Sequence, residues 1–255
     1  MVDATPATGQ RRKRCTGCGL LQQQCVCALI DPIDNRTPVR ILQHPDENDH
    51  ALNTARWAIA GLRQAQLVCQ PYFTEQDWCV PGYAPVLLFP ADATNSSGER
   101  LTAHAADPPV DRFDDCPADR SDDCPADRPD NDSAASPRAR KQAPASLVVI
   151  DGTWRQAARI LREHPALREL SRLALPATCA SAYRLRKSPR ADGLSTVEAV
   201  VAALDMLDAP CRHAKVLRPF YQHIDNQIAL QRHHMGEQAF MRNYPHLNES
   251  AQADQ

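Results

Sequence analysis

The stretch Ser146-Leu-Val-Val-Ile-Asp151-Gly-Thr-Trp-Arg-Gln-Ala157 decides how this chain folds. Leu147 to Ile150 is an unbroken aliphatic run rich in β-branched residues, which reads as a strand buried on both faces. Asp151 and Gly152 end it. Thr153 can then cap a helix whose apolar positions Trp154, Ala157, Ala158 and Leu161 recur at i, i+3, i+4 and i+7. A buried strand that turns at once into a helix puts its last residues at the carboxyl edge of a sheet. Open α/β proteins bind ligands at that edge, where the free N–H groups of a helix start also lie. Asp151 is therefore either a capping group or a site group, and Trp154 either core or part of that site.

A chain of 255 residues can bury a substantial core as one domain with an appendage. Its composition suits a soluble globular protein, and no apolar run is long enough to span a bilayer. Arg11, Arg12, Lys13 and Arg14 have no apolar signal-peptide core behind them, so the expectation is a cytoplasmic protein with a flexible basic tail at 1–14. The net charge of −2 conceals an asymmetry. Residues 92–141 carry 12 acidic and 7 basic side chains, which leaves 22 basic against 19 acidic elsewhere. The remainder is mildly basic, which permits an anionic partner without demanding one.

Ten cysteines in an intracellular chain point to metal rather than to disulfides. Cys15-Thr-Gly-Cys18 is followed closely by Cys25-Val-Cys27, supplying four thiolates, the set that a closed tetrahedral zinc site requires. A redox pair would need a strand–helix setting that Cys-Thr-Gly-Cys lacks. The expectation is a zinc knuckle over 15–30 that staples or recognises rather than catalyses.

Val39 to Leu42 reads as a short strand ending at Gln43-His44-Pro45-Asp46-Glu47. A helical stripe of Leu52, Ala55, Ile59 and Leu62 follows, with Pro45 at a tolerated first position and Asn53 and Thr54 inside the helix. Leu67–Gln70, Val86–Phe89 and Leu173–Leu175 are further candidate strands. Residues 92–145 are rich in Asp, Pro, Ala and Ser and contain Asp-Asp-Cys-Pro-Ala-Asp-Arg at 114–120 and again at 122–128. Such a segment cannot bury enough apolar surface to fold alone, and reads as a disordered acidic insertion between two strands of one domain. Arg184, Arg186, Lys187 and Arg190 form a cationic stretch that either binds carboxylate or phosphate or is a solvated loop. Ser195-Thr-Val-Glu198 fits a capping box ahead of Val197, Val200, Val201 and Leu204. A last helix is expected over Pro219–Met235, with Phe220, Ile224, Ile228 and Leu230 as its stripe, inside a domain spanning 31–240 and followed by a polar tail at 241–255.

Taken in order, Cys15xxCys18…Cys25xCys27, His44-Pro45-x-Glu47, Asn53-Thr54, Asp151-Gly-Thr153-Trp154, Leu185-Arg186-Lys187 and Leu194-Ser195-Thr196-x-Glu198-Ala199 resemble the DTW-domain family from about residue 15 to 235. The resemblance implies a SPOUT-like, knotted, mainly parallel α/β sheet flanked by helices. It also implies a tRNA-uridine aminocarboxypropyltransferase that moves the 3-amino-3-carboxypropyl group of S-adenosyl-L-methionine to uridine N3 and releases methylthioadenosine. On that resemblance Asp151, Thr153 and Trp154 are the catalytic candidates, Asp151 as the base that takes the N3 proton. His44, Glu47, Asn53, Arg184 and Arg186, with Ser195, Thr196 and Glu198, are the donor-binding candidates. Two rival readings differ in chemistry: a SPOUT-type RNA methyltransferase, and a non-catalytic zinc-bearing RNA-binding protein. A ribosomal-RNA acceptor is a third possibility that the residues leave open.

Overall fold

The computed structural model describes residues 13–47, 53–89, 143–176, 179, 181–185 and 193–249. Its centre is the strand expected from the aliphatic run, β4, in a sheet whose strands are, in chain order, β1 (Val39–Gln43), β2 (Ala65–Cys69), β3 (Ala84–Leu88), β4 (Ala145–Asp151) and β5 (Ser171–Leu173). The spatial order is β2-β1-β4-β3-β5 and every pairing is parallel. Both edges of β4 are thus paired, and because helices cover both faces, Leu147 and Val148 are wholly buried. β3 and β4 lie side by side, with Leu88 opposite Val149, so the sheet is continuous across the expected insertion. Apart from its last residues, that insertion falls outside the described residues; Ala145 already belongs to β4.

The helices are α1 (Ala55–Gly61), α2 (Glu75–Trp78), α3 (Trp154–Glu163), α4 (Pro165–Arg168), α5 (Thr196–Leu207), α6 (Arg218–Met235), α7 (Glu237–Asn243) and α8 (His246–Glu249). They cover the two faces of the sheet as separate layers. Val39, Ile41, Leu147 and Val149 pack with Trp57 of α1, Val200 and Leu204 of α5, Phe220 and Ile224 of α6, and Phe240 of α7. Leu42, Leu87 and Val148 pack on the other face with Trp78 of α2, Ile160 and Leu161 of α3, and Leu167 of α4. Each fully buried large side chain contributes about 1.5–3 kcal/mol through burial. The alternation along β1 and β4 therefore fixes which face each residue serves.

The connections place the site. β1 leads through α1 outward to β2, while β4 leads through α3 and α4 the other way to β5. The carboxyl ends of β1 and β4 are adjacent at the point where the two windings diverge, and ligands bind open α/β sheets at such a switch point. The parallel α/β sandwich expected from the sequence is therefore present. The strand order does not by itself make it a knot.

Several expectations shift. The helix expected from Pro45 is broken: Pro45–Glu47 is a 3-10 turn, and α1 begins only at Ala55. Asn53 and Thr54 stay out of it because their side chains bond elsewhere, Asn53 donating to the Glu47 carbonyl and Thr54 accepting from the Thr196 amide. Leu52 lies outside the described residues. Trp154 is not core; it is 47 % exposed, and α3 instead buries Ala157, Ile160 and Leu161. β5 runs two residues ahead of the expected Leu173–Leu175, where it matches the register of β3. Residues 1–12 of the expected tail lie outside the described residues, whereas Lys13 and Arg14 are part of the knuckle, bonded to Gln22 and Gly19. At the other end Met241, Tyr244 and Leu247 pack on the core, so ordered helix continues past the expected boundary at 240. Among the described residues no helix is long and apolar enough to cross a membrane.

Candidate functional site

Asp151 and Gln43 are register partners on adjacent parallel strands, at the last positions of β4 and β1. Both are buried, and both side chains lie on the face covered by α1 and α5. The Gln43 amide Nε2 donates to Asp151 Oδ2 at 2.7 Å, and the Thr196 hydroxyl donates to Oδ1 in a short hydrogen bond. Thr196 in turn donates its backbone N–H to Thr54 Oγ1 at 3.1 Å. One buried carboxylate therefore collects Gln43, Thr54 and Thr196 from three distant segments, with Asn53 next to Thr54. Two acceptors here have no hydrogen-bond partner among the described residues, Gln43 Oε1 and Asn53 Oδ1. Such buried atoms are costly to leave unpaired, so their place at one sheet edge marks a site for a donor-bearing group.

Ser195 and Glu198 form the expected capping box at the start of α5. Glu198 is buried and its carboxylate accepts from Ser181 Oγ, the Ala182 N–H, and the Ser195 N–H and hydroxyl, all within 2.8 Å, and from Tyr221 at 3.4 Å. Burial, with the Glu198 carboxylate beside it, pushes the Tyr221 phenol up to about 12, so it remains a donor. Ser195 and Glu198 consequently tie the 181–183 loop to α5, and the Glu198 carboxylate is already filled by five donors. Arg184 of that loop is ion-paired with Asp225 of α6. Arg186 lies outside the described residues, as do Lys187 and Arg190.

The remaining candidates lie around the start of α3. Thr153 caps α3 in a box with Gln156, whose Oε1 accepts from the Thr153 N–H at 2.6 Å. Gly152 lets this turn close, because a Cβ there would come within 3.1 Å of Gln156 Oε1. His44 Nδ1 stands 3.3 Å from the Asp46 N–H and 3.4 Å from Gln156 Nε2, so His44 and Thr153 meet through Gln156, while the Glu47 carbonyl holds Asn53. Trp154 meets Phe89 edge-on, with ring centroids 6.1 Å apart. Behind Phe89, the Arg172 guanidinium lies 5.0 Å from the ring centroid. Arg172 is 4 % exposed, and its NH1 has no acceptor among the described residues. Stacking on an aromatic ring returns about 0.5–2 kcal/mol, whereas burying an ion costs several kcal/mol, so Phe89 does not offset the burial.

Sequence reasoning left Gln43, Thr54, Phe89 and Arg172 unassigned. Gln43 carried a signal, a polar residue closing an apolar strand one position before His44. Arg172 carried only the oddity of a cation beside a short apolar run. An open cavity of about 390 Å³ lined by Arg40, Arg63, Gln66 and Tyr83 lies at the strand starts, and so at the edge opposite Asp151.

The four N-terminal sulfurs form a second centre. Cys15, Cys18, Cys25 and Cys27 bring their Sγ atoms within 4.8 Å of one another, with Cys15–Cys25 at 3.4 Å, Cys15–Cys27 at 3.5 Å and Cys18–Cys25 at 3.9 Å. A tetrahedral ion with metal–sulfur bonds of about 2.3 Å needs sulfurs about 3.8 Å apart, so these residues can hold a metal ion. Gly17 is required for that closure, since a Cβ there would lie 2.8 Å from the Cys27 sulfur. The N–H groups of Cys18 and Gly17 lower the Cys15 thiol to about 6, while the sulfurs of Cys15, Cys25 and Cys18 push Cys27 up to about 12. Cys18, Leu20 and Val26 sit in the main core and Gln24 bonds Gln227 of α6, so the knuckle is built into the domain.

Comparison with known proteins gives this geometry a family. A family model described as the DTW domain matches residues 12–228. The chain belongs to the DTW-domain family. Its relatives include proteins named tRNA-uridine aminocarboxypropyltransferase 2. The Macaca fascicularis protein is 26 % identical over 212 residues, covering 78 % of this chain and 58 % of its own length. The Mus musculus protein is 26 % identical over 221 residues, 82 % of this chain and 62 % of its own. The Drosophila melanogaster protein is 27 % identical over 215 residues, 83 % and 73 %. This DTW chain thus spans about three fifths of the two mammalian relatives. No solved structure matches it.

Proposed function

We propose that this DTW protein transfers the 3-amino-3-carboxypropyl group from S-adenosyl-L-methionine to N3 of a uridine in tRNA, releasing methylthioadenosine. The observation that carries the reading is Asp151, a buried carboxylate at the switch point of the sheet with Gln43 and Thr196 orienting it. The names of the relatives support the acceptor and the group transferred.

The chemistry suits these residues. Uridine N3 holds a proton and attacks only as that proton leaves. Asp151 takes it as general base, which in enzymes contributes about 10²–10⁴-fold. The N3 lone pair forms a bond to the Cγ of the methionyl chain, the Cγ–sulfur bond breaks, and its electrons neutralise the sulfonium as methylthioadenosine. The proton passes from Asp151 to solvent. Choosing Cγ over the methyl group is a matter of alignment, so the site must fix the methionyl chain rather than activate it. Gln43 Oε1 and Asn53 Oδ1 are the unpaired acceptors suited to the donor's ammonium group. Trp154, exposed next to the catalytic turn, is placed to stack on the uracil ring. The four cysteines take zinc, whose chemistry here is that of a closed structural ion, and the transfer has no step that uses it.

The test is to incubate the purified protein with S-adenosyl-L-methionine and unmodified tRNA transcript, digest the RNA, and weigh the nucleosides. A uridine gaining the aminocarboxypropyl mass, with methylthioadenosine released, is the expected result. A methyl increment would make the protein a methyltransferase. Donor binding without any product on tRNA would move the acceptor to another RNA.

A further inference from the structure

We propose that Arg172 recognises the α-carboxylate of the donor, making the Arg172–Phe89–Trp154 stack a binding element of the site. The inference rests on the transferase reading above and adds a cation that the cationic stretch at 184–190 does not supply among the described residues. Arg184 is engaged by Asp225.

The starting point is a charge without a counter-charge. Arg172 is 96 % buried, and among the described residues it forms no ion pair and its NH1 has no acceptor. Its pKa is lowered by burial, the direction expected where desolvation is uncompensated. Ring stacking on Phe89 returns only part of that cost. A guanidinium is a planar fork of donors matched to a carboxylate, and a site that keeps one dry and unpaired is prepared for an oxyanion to arrive.

Position selects which oxyanion. Arg172 pairs in register with Leu87, which belongs to the α3-facing core, so the side chain lies on that face beneath Phe89. Phe89 follows the last residue of β3 and touches Trp154, the first residue of α3, three positions beyond Asp151. β5 is two strands from β4, about 10 Å at ordinary spacing, and Arg172, level with Val148 through Leu87, stands three residues short of Asp151, about 10 Å along the strands, so the two Cα atoms are about 14 Å apart. The arginine side chain and the methionyl chain of the donor together span that gap. With the carboxylate held at Arg172 on the α3 face and Cγ near Asp151 on the face of α1 and α5, the methionyl chain crosses the carboxyl edge of the sheet from one face to the other.

Calorimetry on the full-length protein tests this with three compounds: S-adenosyl-L-methionine, its decarboxylated form, and methylthioadenosine. Wild type should prefer the carboxylated donor over the decarboxylated one by about 10- to 100-fold, the range of a charge-assisted hydrogen bond. Arg172→Gln should erase that preference and leave methylthioadenosine affinity unchanged. Because the variant removes a buried unpaired charge, its melting temperature without ligand should be no lower than that of wild type. Retained preference in Arg172→Gln would overturn the proposal. So would a parallel loss of methylthioadenosine affinity and melting temperature, which would make Arg172 structural. Weakened tRNA binding with donor preference intact would also overturn it, assigning the arginine to phosphate. If wild type bound none of the three compounds, the transferase reading itself would fail.

Discussion

Asp151 and Asp208 are both aspartates, 7 % and 3 % exposed, at opposite edges of the same sheet, and their surroundings differ in one respect. Asp208, at the end of α5, accepts from the Arg36 N–H, the Thr37 N–H and the Thr37 hydroxyl at 2.6–3.1 Å, and His213 Nε2 lies 3.4 Å away. His213 also meets Asp205 at 2.9 Å. Each lone-pair region of Asp208 is used, and the cluster fastens α5 to the chain entering β1. Asp151 has one donor on each oxygen, and its partner Gln43 keeps an unpaired acceptor. A saturated carboxylate is a joint. A half-saturated one, with unpaired groups around it, can still receive a ligand.

Substitution should separate the two. Asp151→Asn should cut turnover by about 10²–10⁴-fold while donor affinity and melting temperature change little, because the amide still fills the space. Steady-state rates beside a thermal melt measure this, and a variant that melts early but turns over normally would reverse the assignment. Asp208→Ala should act the other way, costing about 3–5 kcal/mol by stranding the donors of Thr37, Arg36 and His213. Denaturant titration would read that loss, and a change under 1 kcal/mol would show the cluster is not a joint. His223 of α6 gives the smallest effect. Burial, with the Arg56 charge nearby, pushes its imidazole from 6.5 down to about 4. Between those values the unfolded chain binds a proton that the folded chain refuses, so stability should fall as pH drops from about 6.5 to about 4 and then level off. The loss for this one group is at most about 3 kcal/mol. His223→Gln should flatten that part of the pH–stability curve; an unchanged slope would place the proton elsewhere.

What could be read from the residues were features whose cause is local. The aliphatic run before Asp151, the Thr153 cap, the Ser195–Glu198 box and the four-cysteine spacing each describe interactions within a few residues, and each is present. Thr54 falls outside the helix its sequence position suggests because it is held by a bond to Thr196, 142 residues away. Gln43 meets Asp151 across 108 residues through the register of two parallel strands, which no local pattern encodes. The Ser195–Glu198 motif reads as a cap and the resemblance adds a donor-binding role, whereas the five donors to Glu198 come from the 181–183 loop, its own cap and α6. Arg172 stayed invisible because burial of a charge depends on the layers that close over it.

The strand order has a consequence for synthesis. β4 inserts between β1 and β3, both of which emerge from the ribosome first. Until residue 151 has been translated, those two strands have no neighbour between them and each offers an unpaired edge to other chains. The nascent protein thus carries its most aggregation-prone surfaces through the whole period in which residues 90–142 are made. A chain truncated before β4 should be insoluble rather than half-folded.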